Sequence, residues 1–142
     1  IISYIVESGV PVMGHLGLTP QSLNIVGGWK IQGKTDTVAK KIQKEATMLE
    51  DCGVFSLVLE MVPSTLAKII TKTIKIPTIG IGAGPHTSGQ VLVFHDVLGM
   101  NPNFNPTFLR KYIDGFSIIK EALNNYTKDV KNGKFPNEKE SF

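Results

Sequence analysis

The stretch Ser56-Leu57-Val58-Leu59-Glu60-Met61-Val62-Pro63 constrains the fold of this chain more than any other. Leu57, Val58 and Leu59 form an unbroken apolar run, the pattern of a parallel strand covered on both faces. Glu60 follows where such a strand ends. Pro63 stops the strand, and Ser64 is predicted to cap a helix running through Leu66, Ala67, Ile69 and Ile70 to about Thr73. A carboxylate leaving a buried strand at its C-terminal end, just before a helix, sits where parallel α/β folds keep their chemistry. Glu60 is therefore the leading catalytic candidate.

The same rhythm recurs on either side. Residues 1–8 read as the last turns of a helix closed by Gly9, and Val10-Pro11-Val12-Met13 reads as a first strand. That strand opens into Gly14-His15-Leu16-Gly17-Leu18-Thr19-Pro20 and a long connection through Gly27-Gly28-Trp29-Lys30 to Gly33, expected to be ordered because it carries Trp29 and other apolar residues. Thr35 or Asp36 is predicted to cap the next helix, whose stripe is Val38/Ala39, Ile42, Ala46 and Leu49, with Cys52-Gly53 at its end. Ile76 to Gly80 reads as a third strand, entering the glycine-rich run Gly80-Ile81-Gly82-Ala83-Gly84. Gln90 to Phe94 reads as a fourth strand ending in His95-Asp96. Helix is expected from Pro106 onward, through Phe108, Leu109, Tyr112 and Ile113 and then Ile118 to Val130. The tail from Gly133 reads as charged and poorly structured. Strands separated by helix-length segments imply a parallel sheet. Four strands make half a barrel or a small open sheet.

A chain of 142 residues with 42% hydrophobic content can bury a real core. It opens at Ile1 without Met and enters mid-helix, so it reads as a piece of something longer. The net charge of +3 does not mark a nucleic-acid partner, because Lys40, Lys41, Lys44, Lys68, Lys72 and Lys75 fall on polar helix faces with no aromatic residues interleaved. No apolar run is long enough for a membrane helix and none resembles a cleaved signal. The single Cys52 cannot form an intramolecular disulfide and fits small apolar packing at a helix end. A cytoplasmic location is expected, with mitochondria as the alternative for a eukaryotic source.

Several residues carry candidate chemistry. Glu60 at the mouth of an apolar sheet is partly desolvated, which favours a base for a weakly acidic C–H; pairing with a Lys or capping the following helix is the structural alternative. His15 can orient a substrate oxygen or shuttle a proton, or serve as a hydrogen-bonded structural residue beside glycines. His95 and Asp96 are adjacent, and adjacent strand residues point to opposite faces, which weighs against a metal or triad role. His86 lies in a polar turn, and three widely spaced histidines do not form a zinc pattern. The run Gly80–Gly84 fails as a dinucleotide fingerprint because Pro85 and a strand follow it; it remains a backbone anion site or a tight turn. Asn125-Tyr126-Thr127 matches a glycosylation sequon inside a predicted helix and reads as incidental.

Four collinear stretches resemble one family. Pro11-Val12-Met13-Gly14-His15-Leu16-Gly17-Leu18-Thr19-Pro20-Gln21-Ser22 is similar to the segment PV-x-x-HLGLTPQS of ketopantoate (3-methyl-2-oxobutanoate) hydroxymethyltransferases. Gly27 to Lys34 is similar to that family's GG-[YF]-K-V-QG loop, and Leu57 to Pro63 to its LVLE-x-VP. Ile76 to Gly84, Gly89 to Val93 and His95-Asp96 are similar to IPTIGIGAG…GQVLV-x-HD, and Phe135-Pro136 through Phe142 to the family's C-terminus.

The resemblance implies a (β/α)8 TIM barrel of which residues 1–142 form the C-terminal half, the N-terminal half being absent from the chain. It implies assembly as a homo-oligomer, a decamer in the family. It further implies transfer of a hydroxymethyl group from 5,10-methylenetetrahydrofolate to 3-methyl-2-oxobutanoate, giving 2-dehydropantoate in pantothenate and coenzyme A biosynthesis. Glu60 matches the family's proton acceptor, and His15 a histidine lining the substrate pocket. Magnesium is the implied metal, with ligands expected in the missing half. The chain alone is accordingly expected neither to bind that metal as the family does nor to turn over. A short non-catalytic paralogue that binds a full-length barrel partner is the competing reading. Another barrel enzyme acting on a small keto acid is a more distant one.

Overall fold

Four strands pair in sequence order, all parallel: β1 (Met13–Gly17), β2 (Ser56–Glu60), β3 (Thr78–Ile81) and β4 (Gly89–Gln90). The computed structural model describes residues 1–22 and 28–142, so residues 23–27, and with them part of the connection expected to be ordered, lie outside the described residues. By contact the chain divides into two compact units, Ile1–Val91 and Leu92–Phe142.

In the first unit, α1 (Ile2–Glu7) closes at Gly9 (φ +88°) as expected. β1 begins at Met13, three residues later than predicted, and takes in Gly14 to Gly17, which read as the opening of a loop. The glycines are needed there for space. A Cβ on Gly14 would stand 3.0 Å from the side chains of both Leu49 and Leu57. The long helix α2 (Asp36–Asp51) starts on Thr35, whose hydroxyl accepts from the Val38 N–H, and ends at Cys52 and Gly53 (φ +85°). α3 (Ser64–Thr73) differs in its start: Pro63 occupies the N-cap position and Ser64 is already the first helical residue, without a capping bond.

Side chains alternate across the pleat, so the register sorts them into two faces. Leu57 and Leu59 are wholly buried on one face, under Ile42 and Ala46 of α2 and Leu66, Ala67 and Ile70 of α3. Each such leucine stabilises the fold by roughly 1.5–3 kcal/mol. The buried Thr78 on the same face is satisfied by Thr71 at 2.8 Å and by Ser88. The other face carries His15, Val58, Glu60, Ile79 and Ile81, all only partly buried. The apolar run Leu57–Leu59 thus has one covered face, where two were expected. The six lysines of the predicted polar faces are all exposed.

The fourth strand, still within the first unit, is only two residues long. The second unit departs further from expectation. Phe94 to Val97 form a short helix, α4, so His95 and Asp96 lie on a helical turn. Residues 106–113 are not helical; a lysine and two asparagines hold the preceding bends, with Lys111 Nζ donating to the Asn101 carbonyl at 2.8 Å. Helix α5 (Gly115–Lys131) begins where Asp114 accepts from the Ser117 N–H. The tail contains a capped 3₁₀ turn, Glu138–Glu140, in which Asn137 and Glu140 cap one another.

Candidate active site

Three strand ends build the site. Gly17 pairs with Glu60 and Glu60 with Ile81, so the C-terminal ends of β1, β2 and β3 stand level. His15 pairs with Val58, two residues before Glu60, so both titratable side chains emerge on the open face. His15 Nε2 lies 3.0 Å from Glu60 Oε2. Where the carboxylate is ionised it can only accept, and the Nε2–H tautomer of His15 is then the donor. The Glu60 side chain is 15% exposed and that of His15 33%, which leaves the pair reachable while its apolar neighbours Val58, Ile79 and Ile81 shield part of it. The sequence presents the two residues as separate candidates 45 positions apart. Only the register joins them.

The main chain around Glu60 is tied on both sides. The Leu18 N–H donates to the Glu60 carbonyl at 2.9 Å, and the Met61 N–H donates to the Ile81 carbonyl at 2.9 Å. The Gln32 N–H donates to the Met61 carbonyl at 2.7 Å. Gly17 (φ +95°) faces the Glu60 carbonyl so closely that a Cβ would overlap the oxygen. Beyond the free edge of β1, a groove of about 260 Å³ is bordered by His15, Thr19, Gln32, Lys41 and Glu45.

His86 is exposed in the turn before β4. His95 is exposed on α4 and meets Phe94 edge-on, with ring centroids 5.7 Å apart. In the glycine-rich run, Gly84 (φ +77°) packs directly on Ser64, and Gln90 Nε2 donates to the Gly84 carbonyl at 2.9 Å, the construction of a tight, self-bonded turn. Among the described residues no three of His, Cys, Asp and Glu gather as metal ligands. His15 and Glu60 offer two donors already bonded to each other, so the described residues do not make a magnesium site. No helix among the described residues is long and apolar enough to cross a membrane.

The profile of a family described as "Ketopantoate hydroxymethyltransferase" matches residues 1–138. The chain belongs to the ketopantoate hydroxymethyltransferase family. It is 57% identical, over its whole length, to the 3-methyl-2-oxobutanoate hydroxymethyltransferase of Bdellovibrio bacteriovorus, covering 54% of that protein. It is 56% identical to the enzyme of the same name from Thermosipho melanesiensis and 51% to that of Francisella tularensis, again covering 54% of each. The chain thus spans about half the length of the curated relatives it matches. The ketopantoate hydroxymethyltransferase fold is a TIM barrel, and the four parallel strands with their helices are a partial half of it. Both His15 and Glu60 lie inside the matched region.

Proposed function

We propose that this chain supplies the proton-removing residues of an enzyme transferring a hydroxymethyl group from 5,10-methylenetetrahydrofolate to 3-methyl-2-oxobutanoate. The observation that carries the reading is the His15–Glu60 hydrogen bond on the open face, at the C-terminal ends of parallel strands, where barrel enzymes hold their chemistry. Glu60 is the general base. Its carboxylate takes the C3 proton of the keto acid, and the C–H electron pair becomes the double bond of the enolate while charge moves to the C2 oxygen. C3 then bonds to the one-carbon unit of the folate as its C–N10 bond breaks, N10 taking up the proton that Glu60 removed. Water displaces N5 from that carbon, its oxygen becoming the hydroxyl and its second proton going to N5, and tetrahydrofolate leaves.

His15 does two things in this reading. Its N–H engages one carboxylate oxygen, which fixes the rotamer of Glu60 and directs the other oxygen toward substrate. Its ring also lines the keto acid pocket. The magnesium that the resemblance implies would stabilise the enolate as a Lewis acid when bound. Its ligands are assigned to a further part of the protein, in the N-terminal half of the barrel. The same division accounts for the open sheet face and the free edge of β1, and predicts that residues 1–142 alone do not turn over.

The test uses a whole barrel, with this chain replacing the corresponding segment of the Bdellovibrio relative, and follows solvent exchange at C3 of the keto acid by NMR. Glu60→Gln is expected to slow exchange by about 100-fold or more, the usual contribution of a general base; a rate near that of the parent overturns the assignment. His15→Asn is expected to cause a smaller loss.

The open sheet face also favours the second reading, a short paralogue that docks on a longer barrel. The intact mass of the native polypeptide separates the two. A value near 15.5 kDa supports the paralogue, and roughly twice that the whole enzyme.

A further inference from the structure

At Met61 the alternation of β2 breaks. Leu57 and Leu59 point into the helix-covered core, so continued alternation would set Val62 beside Glu60 on the open face. Val62 is instead 2% exposed and packed with Leu57 and Leu59 in the core. The reversal is made by one residue. Met61 has φ +50°, the sole non-glycine left-handed residue among the described residues.

The neighbouring strands make comparable turns with glycine. β1 ends on Gly17 (φ +95°), and β3 is followed by Gly82 (φ +63°), after which Ala83 is buried in the same core. Glu60 stands level with Gly17 on one side and Ile81 on the other, so Met61 and Gly82 follow their strands at the same height. Left-handed backbone disfavours a side chain with a Cβ and is nearly free for glycine. Two of three strand ends accept the turn without that penalty. The third, directly after the carboxylate, does not.

We infer that Met61 is a positioning residue for Glu60, acting through its left-handed backbone and not through its side chain. Turning the chain there sends Val62 to the core and leaves Glu60 as the last β2 side chain on the open face. The Met61 N–H bonded to Ile81 and the Met61 carbonyl bonded to Gln32 lock the turn from two sides. The carboxylate is thereby held toward His15 and toward the mouth of the sheet. This inference rests on Glu60 being the base.

The experiment measures kcat and KM for C3 exchange in the same whole barrel, carrying Met61→Gly, Met61→Asn, Met61→Ala and Met61→Val. Each variant is first checked for folding by thermal melting. Glycine and asparagine tolerate left-handed backbone, alanine carries the same Cβ penalty that methionine already bears, and β-branched valine is the least tolerant. Exchange is therefore expected within about threefold of the parent for Gly, Asn and Ala, with kcat falling about tenfold or more for Val while KM stays constant. A residue that mattered only through packing would give a common loss in Gly, Asn and Ala, all of which remove the methionine side chain, with Val nearest the parent. That common loss overturns the inference even if the valine variant does not fold. Glu60→Gln is measured alongside. If it retains exchange, the base assignment has failed; if it abolishes exchange while Met61→Val matches the parent, the positioning role has failed.

Discussion

Helices α2 and α5 are nearly equal in length, 16 and 17 residues, and nearly equal in their local signals. Each has an N-cap side chain accepting a backbone N–H, Thr35 in one and Asp114 in the other, and each is followed by a left-handed glycine, Gly53 and Gly133. Their fates diverge. α2 buries Ile42 and Ala46 against the sheet, whereas the only buried residue of α5 is Gly115, and Phe116, Ile119, Leu123, Tyr126 and Val130 remain exposed along one side. An amphipathic pattern with caps therefore specifies a helix, but what the helix covers is decided elsewhere in the chain.

The difference extends to the units that hold these helices. Residues 1–91 are organised by a core of leucine, isoleucine, valine and alanine side chains. Residues 92–142 are held mainly by backbone pairing, with the N–H groups of Tyr112, Gly115 and Phe116 donating to the carbonyls of Val97, Leu98 and Gly99. Gly99 and Gly115 allow that close approach, since a Cβ on either would overlap a backbone oxygen.

The sharpest test of this contrast is Leu57→Ala, which leaves a void beneath α2 and α3 and is expected to cost about 2–5 kcal/mol in denaturant unfolding. Smaller, and confined to the second unit, is the effect of Gly99→Ala. It is expected to raise amide exchange in residues 97–116 while the β1–β3 amides stay protected, and uniform deprotection would show that the two units unfold together. Leu123→Ala, on the exposed stripe of α5, is expected to change stability by no more than about 0.5 kcal/mol. A loss comparable to Leu57→Ala would mean that this side of α5 is covered in solution.

The smallest effect concerns pH. Hydrogen bonding with Ser117, aided by the nearby Lys111 charge, holds the Asp114 carboxyl below its ordinary value. Its stabilisation of α5 is therefore present above the unfolded carboxylate value and is lost as pH falls through the lower folded one. Ellipticity should decline over that acid range in the parent and not in Asp114→Asn. An unchanged acid limb in the variant would remove Asp114 as its cause.

What the sequence made legible follows the same division. Leu57 to Glu60, the α2 stripe and its caps could be read because an apolar run or a 3.6-residue period is imposed by burial against one continuous core. Gly14 and Gly17 misled, since glycine signals turns by conformation, whereas here Gly14 lies inside a strand to make room for Leu49 and Leu57. Residues 106–113 misled for another reason. Phe108, Leu109, Tyr112 and Ile113 mimic a helical face, yet the capping side chain lies later, at Asp114. The catalytic candidates His15 and Glu60 were visible singly as residue types at strand ends. Their contact was not, because it depends on the β1–β2 register, and no residue at position 61 announces a left-handed turn.

That register has a kinetic consequence. His15 and Glu60 meet only after a parallel pairing that closes a loop of more than forty residues and waits for α2 to form between the strands. A pairing shifted by one residue would turn the imidazole to the opposite side of the sheet. The hydrogen bond between them is thus specific to one register, and the ¹⁵N signals of the His15 ring, followed during refolding, would report the correct alignment of the two strands.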